Sequence, residues 1–409
     1  MQRNIAQVLF MLLILGLFLL RESRLGYATG LERGFSDWLA RNADLRDQEA
    51  PLTLIEINDG TLSDSRTWPL PPIDFALFLK AGISFHPSLL AIGEVLNWPV
   101  DKQNPDPNLS ILHDQILSCP KLVLGAQLGF PNDPDLLPPL QNVPALRQVQ
   151  GDIAKVAEYP IVEQLPSEEL RLSVPLGFTN LPVPEMPVRS VPLVFRYCGQ
   201  VVPSFVLQSA MLWLQLTPDD IQVHIGSVIK MGDKLEIPID DSGMMSINPH
   251  SRFSRIGLDE LLVVVSQIEA KQTPLVKAES LKDKVLLLAR TDSGARTFMF
   301  PSGHKGTSGE LLASAIATIQ NQQFPERSPL WADFLIIGGV LVFACYLYEL
   351  SGFGAVFATL LALPIYLMGA ITLYAATVVW VPVVLPFGLL AFALILRLTS
   401  PSVVSEKAR

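Results

Sequence analysis

The stretch 281-LKDKVLLLARTDSGA-295 contains an unbroken apolar run from Val285 to Ala289. A strand with one wet face alternates apolar and polar residues. A run without alternation fits a strand buried on both faces, as in a parallel sheet covered by helices. Towards the N-terminus, 52-LTLIEIND-59, 89-LLAIGEVL-96 and 121-KLVLGAQL-128 read as companion strands. Between the first two, Pro69, Pro71 and Pro72 precede Ile73, Leu77 and Lys80 at helical spacing, and proline is tolerated at a helix start. A second helix is expected around Leu109 to Ser118. Strand, helix, strand, helix, strand at this spacing implies a mostly parallel sheet with right-handed crossovers.

The rhythm changes at 131-PNDPDLLPPLQNVP-144, where the proline density predicts a long surface loop. From Leu172 to Asn248 come short strand candidates, a helix over Ser204 to Leu214, and a hairpin pattern in 228-VIKMGDKLEIPIDDSGMMSIN-248. Its turns fall at Gly232-Asp233 and Ser242-Gly243. A helix follows from Leu258 to about Ala270. After the Val285 strand, Thr307 and Glu310 form a capping-box pattern that sets the start of a helix running towards Gln320.

Four other runs have a different character. Ile5 to Leu20, flanked by Arg3, Arg21 and Arg24, reads as a membrane anchor or a signal peptide, with Gly26 and Ala28 suiting a cleavage site. Leu330 to Tyr348, Ala355 to Ala375 and Val378 to Leu396 are each long enough to cross a hydrocarbon core. The expected layout is an anchor over residues 1–28, an extracytoplasmic domain over 29–328, a three-helix membrane bundle over 329–398 and a cytoplasmic tail over 399–409. Arg397, Lys407 and Arg409 favour cytoplasmic termini by the positive-inside rule, while Arg21 and Arg24 pull the other way. In a two-membrane cell this means an inner-membrane, multi-pass protein with a periplasmic domain.

Composition agrees with a mixed membrane and soluble chain: 409 residues, 49% hydrophobic, with a mean hydropathy of +0.37. A net charge of -9 without a basic stripe argues against a nucleic-acid surface. His86, His113, His224, His250 and His304 lie far apart, so neither a metal site nor a cofactor is expected. Cys119 and Cys198 allow one disulfide or two buried thiols.

Several words of the sequence resemble the CHASE2 sensor family. "IEINDGTL" with "TWPLPPIDFALFL" is similar to the opening strand and Trp-Pro segment of that family. "IPIDDSGMMSIN", "LKDKVLLLARTDSGA" and "SGELLASAIATI" are similar to its later turn, strand and closing helix. The order of these words and the one-plus-three span layout carry the resemblance over most of the chain. It implies an extracytoplasmic α/β sensory domain. Departures are Glu94 and Arg296 where Asp is usual, and a final helix without the common His. Family members usually carry a cyclase or kinase after the last span; here a short tail stands in that place.

Ligands of open parallel sheets bind outside the carboxyl ends of the strands. Glu56, Asn58, Asp59, Trp68, Glu94, Asp292 and Ser293 are therefore the candidate ligand-binding residues. No residue is assigned a catalytic role, because no nucleophile elbow, kinase signature or dinucleotide fingerprint is present. The loop 302-SGHKGTSG-309 lacks Walker spacing and reads as an ordinary capped loop. The expected function is a membrane sensor that binds a small molecule or protein and signals through its helices to a separate protein. Pairing of two copies is compatible with this. A scaffold without ligand response, or a hydrolase using Glu56, Asp59 or Glu94, are the alternatives.

Overall fold

The structure, a computed structural model, describes residues 2–43, 49–62, 66–98, 106–130, 144–182, 187–270 and 280–399. It divides into two compact units. One is built from the two ends of the chain, the other from the stretch between them.

Two helices open the chain, α1 (Gln2–Leu25) and α2 (Thr29–Asn42). The α/β unit follows as β1 (Leu52–Ile57), α3 (Pro72–Ser84), β2 (Leu89–Ile92), α4 (Pro107–Ser118) and β3 (Leu122–Gly129). Then come β4 (Ile161–Gln164), β5 (Leu176–Phe178), α5 (Phe205–Trp213), β6 (Ser254–Gly257), α6 (Leu258–Glu269), β7 (Val285–Arg290) and α7 (Ser308–Asn321). The chain ends in α8 (Leu330–Glu349), α9 (Gly352–Thr377) and α10 (Val384–Thr399).

The sheet runs β6-β1-β7-β2-β3, with every pair parallel. The outer edge of β3 is shared by β5, parallel at Leu124–Ala126, and β4, antiparallel at Gln127–Gly129. The Val285 strand is thus central. Leu286 and Leu288 point into one core with Ile55, Ile92, Phe75, Phe78, Leu112 and Leu261, under α3, α4 and α6. Val285, Leu287 and Ala289 point into the other with Leu54, Ala91, Phe205 and Leu311, under α5 and α7. Burial on both faces is why the run shows no alternation. A close approach explains one glycine: a Cβ on Gly309 would stand 2.7 Å from the Arg290 carbonyl oxygen, so only glycine lets the start of α7 lie against the end of β7.

Short strands between Gln148 and Ser246, paired mostly antiparallel but parallel where Gln148–Gln150 meets Gln222–His224 and where Glu158–Tyr159 meets Arg196–Tyr197, largely extend the α5/α7 side. They include the expected hairpin, Val228–Met231 with Leu235–Pro238. Gly243, at φ +73, makes the second expected turn. The proline-rich 131–143 lies outside the described residues, as does the 400–409 tail.

In the terminal unit, α8 and α9 are long and apolar enough to cross a membrane, while α10 is a shorter apolar helix. The expected continuous span from Val378 to Leu396 is corrected here. Val378 takes the left-handed conformation (φ 59) that ends α9. Val379–Trp380 pairs with Glu326–Arg327, and α10 begins only at Val384. Pro382 has no amide to continue a helix, whereas Pro386 lies in the first turn of α10, where none is needed. Leu12 and Leu20 of α1 share a core with Ile337, Ala344, Leu347, Ala355, Leu389 and Ala393. Large apolar side chains, among them Phe10, Phe18, Phe334, Leu335, Phe357 and Ile365, stay exposed on the outside.

Polar groups tie both ends of this unit. Arg24, at the end of α1, donates to Asp333 Oδ2 (2.7 Å) and to the Ser328 carbonyl (2.7 Å) at the start of α8. Buried Glu32 of α2 accepts from the amides of Val383 (2.8 Å) and Val384 (3.0 Å), the orphan donors that open α10. At the opposite end Arg397, read from sequence as a tail charge, is buried in the last turn of α10. It donates to the carbonyls of Leu347 (3.3 Å) and Leu350 (3.2 Å) that close α8.

Candidate functional site

The carboxyl ends of β1, β7, β2 and β6 open on the same edge of the sheet, because these strands are parallel and adjacent. Each run of apolar residues stops there and hands over to a polar loop. Asn58-Asp59 follows β1, Gly93-Glu94 follows β2 and Asp292-Ser293 follows β7.

Arg290, the last residue of β7, organises one half of this edge. Its guanidinium makes two 2.7 Å hydrogen bonds to the two oxygens of Asp292, a bidentate pair, and lies 4.7 Å from the centre of the Trp68 ring. Trp68 in turn meets Phe75 edge-on, and Phe75 meets Trp98. The Arg290 amide donates to Glu94 Oε1 at 3.0 Å. Burial pushes the Glu94 carboxyl above its ordinary pKa, against the pull of the Arg290 amide and guanidinium. Asp292 is held below the usual carboxylate range by its Arg290 hydrogen bonds. Asp59 accepts from both the amide (2.9 Å) and the hydroxyl (2.8 Å) of Ser293, joining the loops after β1 and β7.

The other half is an open cavity of about 430 Å³ at the ends of β1 and β6, lined by Glu56, Asn58, Thr61, Arg255, Asp259 and Glu260 among others. Arg255 of β6 bonds both Glu56 (3.4 Å) and Glu310. Glu310 also closes the expected capping box. It accepts from the Thr307 amide at 2.7 Å, while its own amide donates to Thr307 Oγ1. Burial pushes Glu56 up, opposed by Arg255 and reinforced by the Glu310 charge. Burial acts the same way on Glu310, but Arg255 and the Thr307 amide bring it below its ordinary value. On the outer lip, Arg66 bridges Asp259 (2.8 Å) and buried Asp74 (3.0 Å).

All seven residues singled out from sequence stand at this one edge, but not in one lining. Glu56 and Asn58 line the cavity. Asp59, Trp68, Glu94, Asp292 and Ser293 make the neighbouring Arg290 cluster. Asn58 also has a local duty, accepting from the Thr61 amide at 3.0 Å. Arg255, Arg290, Arg66 and Asp259 went unnoticed: a lone arginine or aspartate has no spacing signal. Glu310 was legible only as a cap.

The glycine-rich loop before α7 is a hairpin, Thr297–Met299 with Lys305–Thr307, and the Thr307 amide is already taken by Glu310. Among the described residues no group of three His, Cys, Asp or Glu is placed to hold a metal. Cys119, Cys198 and Cys345 are free thiols. Burial pushes the Cys119 thiol up to about 12.

A protein-family model described as the CHASE2 domain matches residues 9–346. That stretch runs from α1 through the whole α/β unit into α8. No curated protein and no solved structure matches the chain.

Proposed function

The chain belongs to the CHASE2 domain family, a sensory and not a catalytic family, and we propose from that premise that it is a membrane-bound sensor. Its α/β unit binds a ligand at the carboxyl edge of the sheet. A shift there travels from the end of β7 into α7 and along the chain to α8, and a separate signalling protein reads it at the far end of the bundle. The observation that carries this reading is that Arg290 joins the loops after β2 and β7, through Glu94 and Asp292, while Arg255 joins the end of β1 to the start of α7, through Glu56 and Glu310. A ligand that competes for either guanidinium or its carboxylates would favour one arrangement of these loops over another, which is what a switch requires.

In this reading α1, α8, α9 and α10 all cross the membrane, residues 1–28 being the anchor and 329–398 the three-helix bundle. Residues 29–328 are extracytoplasmic, and both termini are cytoplasmic. The alternating directions of the four helices support it. The end of α1 meets the start of α8 through Arg24 and Asp333, and the end of α8 meets the end of α10 through Arg397. The sixteen residues of α10 span about 24 Å at 1.5 Å per residue. That is short of a ~30 Å core, a mismatch that a bilayer takes up by local thinning.

The test is a thermal-shift screen of the full chain in lipid nanodiscs against a panel of amino acids, amines, carboxylates and nucleotides. Arg255→Ala and Arg290→Ala are run beside wild type. A compound at one hundred times its Kd should add about 2.7 kcal/mol to the folded state. A hit abolished by either substitution supports the edge as the site. A hit that stabilises all three chains equally removes it, and silence across the panel would shift the reading towards a scaffold.

A further inference from the structure

Helix α2 has two unlike faces. One is packed within the terminal unit: Leu39 and Ala40, with Ala43 just beyond, bury against Ala370, Tyr374 and Val378 at the end of α9. Glu32 holds the amides that open α10. The helix is therefore fixed at the level where the apolar helices end. The other face carries Leu31 and Trp38, at i and i+7, with Phe35 between them partly buried against the inward cluster. Leu31 is 68% exposed and Trp38 39%, with the Phe35 ring stacked on Trp38 at 5.7 Å. Just before α2, Leu25 and Tyr27 are 86% and 100% exposed.

Charge is sorted the same way. The acidic residues of α2, Glu32 and Asp37, are buried, and its basic residues, Arg33 and Arg41, face outward. Exposed aromatic and aliphatic side chains beside exposed arginines on one helix, at the level of helix ends, have the chemistry of the headgroup region. Trp331, 65% exposed in the first turn of α8, adds a further aromatic residue at the same end of the unit.

We propose that α2 is an interfacial helix. It lies along the bilayer surface with Leu31 and Trp38 inserted among the headgroups and first acyl segments, and with the exposed Arg33 and Arg41 at the level of the anionic phosphates. Such helices sit about 5–10 Å into the headgroup boundary. The connection between anchor and α/β unit is then a membrane-bound element, and lipid charge becomes an input to the sensor. This rests on the reading of α1, α8, α9 and α10 as membrane-crossing helices.

The experiment uses the full chain in nanodiscs of mixed zwitterionic and anionic lipid, with bromine on the acyl chains either near the headgroup or near the terminal methyl. Tryptophan emission of wild type minus Trp38→Phe isolates Trp38, and wild type minus Trp331→Phe isolates Trp331. The Trp38 signal should be quenched, and more strongly by the shallow bromine. Quenching of Trp331 without quenching of Trp38 overturns the proposal and leaves the membrane-crossing helices standing, as it would if a second copy or another protein covered that face. Absence of quenching at both positions overturns both readings.

Discussion

Ser293 gives both its amide and its hydroxyl to a single carboxylate oxygen of Asp59, at 2.9 and 2.8 Å, across 234 positions of sequence. This contact ties the loop after β1 to the loop after β7 at the edge proposed to bind ligand. Asp59→Ala removes the acceptor of both bonds. Because the site is exposed, the expected loss is modest, about 1 kcal/mol. The clearer readout is local: amide exchange over residues 291–296 should quicken in Asp59→Ala, and less in Asp59→Asn, which keeps an acceptor oxygen. Indistinguishable exchange in all three chains would remove the contact from the account.

Arg290 acts as a clamp through shape as well as charge. Its planar fork holds both oxygens of Asp292 while its face lies on Trp68. Lysine keeps the charge but can reproduce neither the fork nor the stacking. Arg290→Lys is expected to destabilise the α/β unit by about 1–3 kcal/mol, since hydrogen bonds to charged groups lie near that range. It should also shift the Trp68 emission, isolated by subtracting Trp68→Phe. An unchanged urea midpoint together with unchanged Trp68 emission would show that the clamp has no energetic role.

The carboxylates on either side of Arg290 respond to pH in opposite senses. Glu94 is raised in the folded state, so the folded chain binds more protons than the unfolded one. Stability falls as pH rises from the unfolded value of about 4.3 through the folded one. Asp292 is depressed, so its contribution is fully present above about 3.9 and is lost as pH falls through its folded value. Glu94→Gln should therefore match wild type in acid and exceed it at neutral pH, while Asp292→Asn should flatten the acid limb. Urea midpoints followed by limited proteolysis of the α/β unit, across the acid to neutral range, decide the matter. A Glu94→Gln chain that is less stable than wild type at neutral pH would contradict the assignment.

The parallel sheet was legible because a strand such as Val285–Arg290, buried by helices on both faces, has no polar residue until its end. The same stops in apolar runs marked the acidic and aromatic residues of the edge. Their partners were not legible: Arg255 reaches Glu310 only because β6 pairs beside β1, which no local pattern announces. Helix α2 escaped notice because its apolar residues serve two faces, Leu39 inward and Leu31 and Trp38 outward, and the mixture hides either stripe. The last apolar run looked continuous because hydropathy does not register backbone conformation. Val378 and Pro382 interrupt it without interrupting its apolar character.

Asp333 is fully buried between two arginines, Arg24 at 2.6 Å and Arg327 at 3.6 Å, where α1 meets α8. Removing one partner of a buried pair costs about 3–5 kcal/mol, because the other charge is left without compensation. The two partners are not equivalent here. Arg24→Gln leaves Asp333 facing Arg327, so the residual charge is still balanced. Asp333→Asn leaves two cations at the same point and should cost more. The double substitution should cost less than the sum of the singles, since Arg24, one of the two cations that Asp333→Asn leaves together, is then gone. The measurement is detergent-driven unfolding of the full chain, followed through Trp380, whose ring centre lies 5.5 Å from the Arg327 guanidinium carbon. Additive losses, or a larger loss from Arg24→Gln than from Asp333→Asn, would mean that the pair does not hold α1 to α8. A shift that reaches α8 would then not be handed on to α1 at this junction.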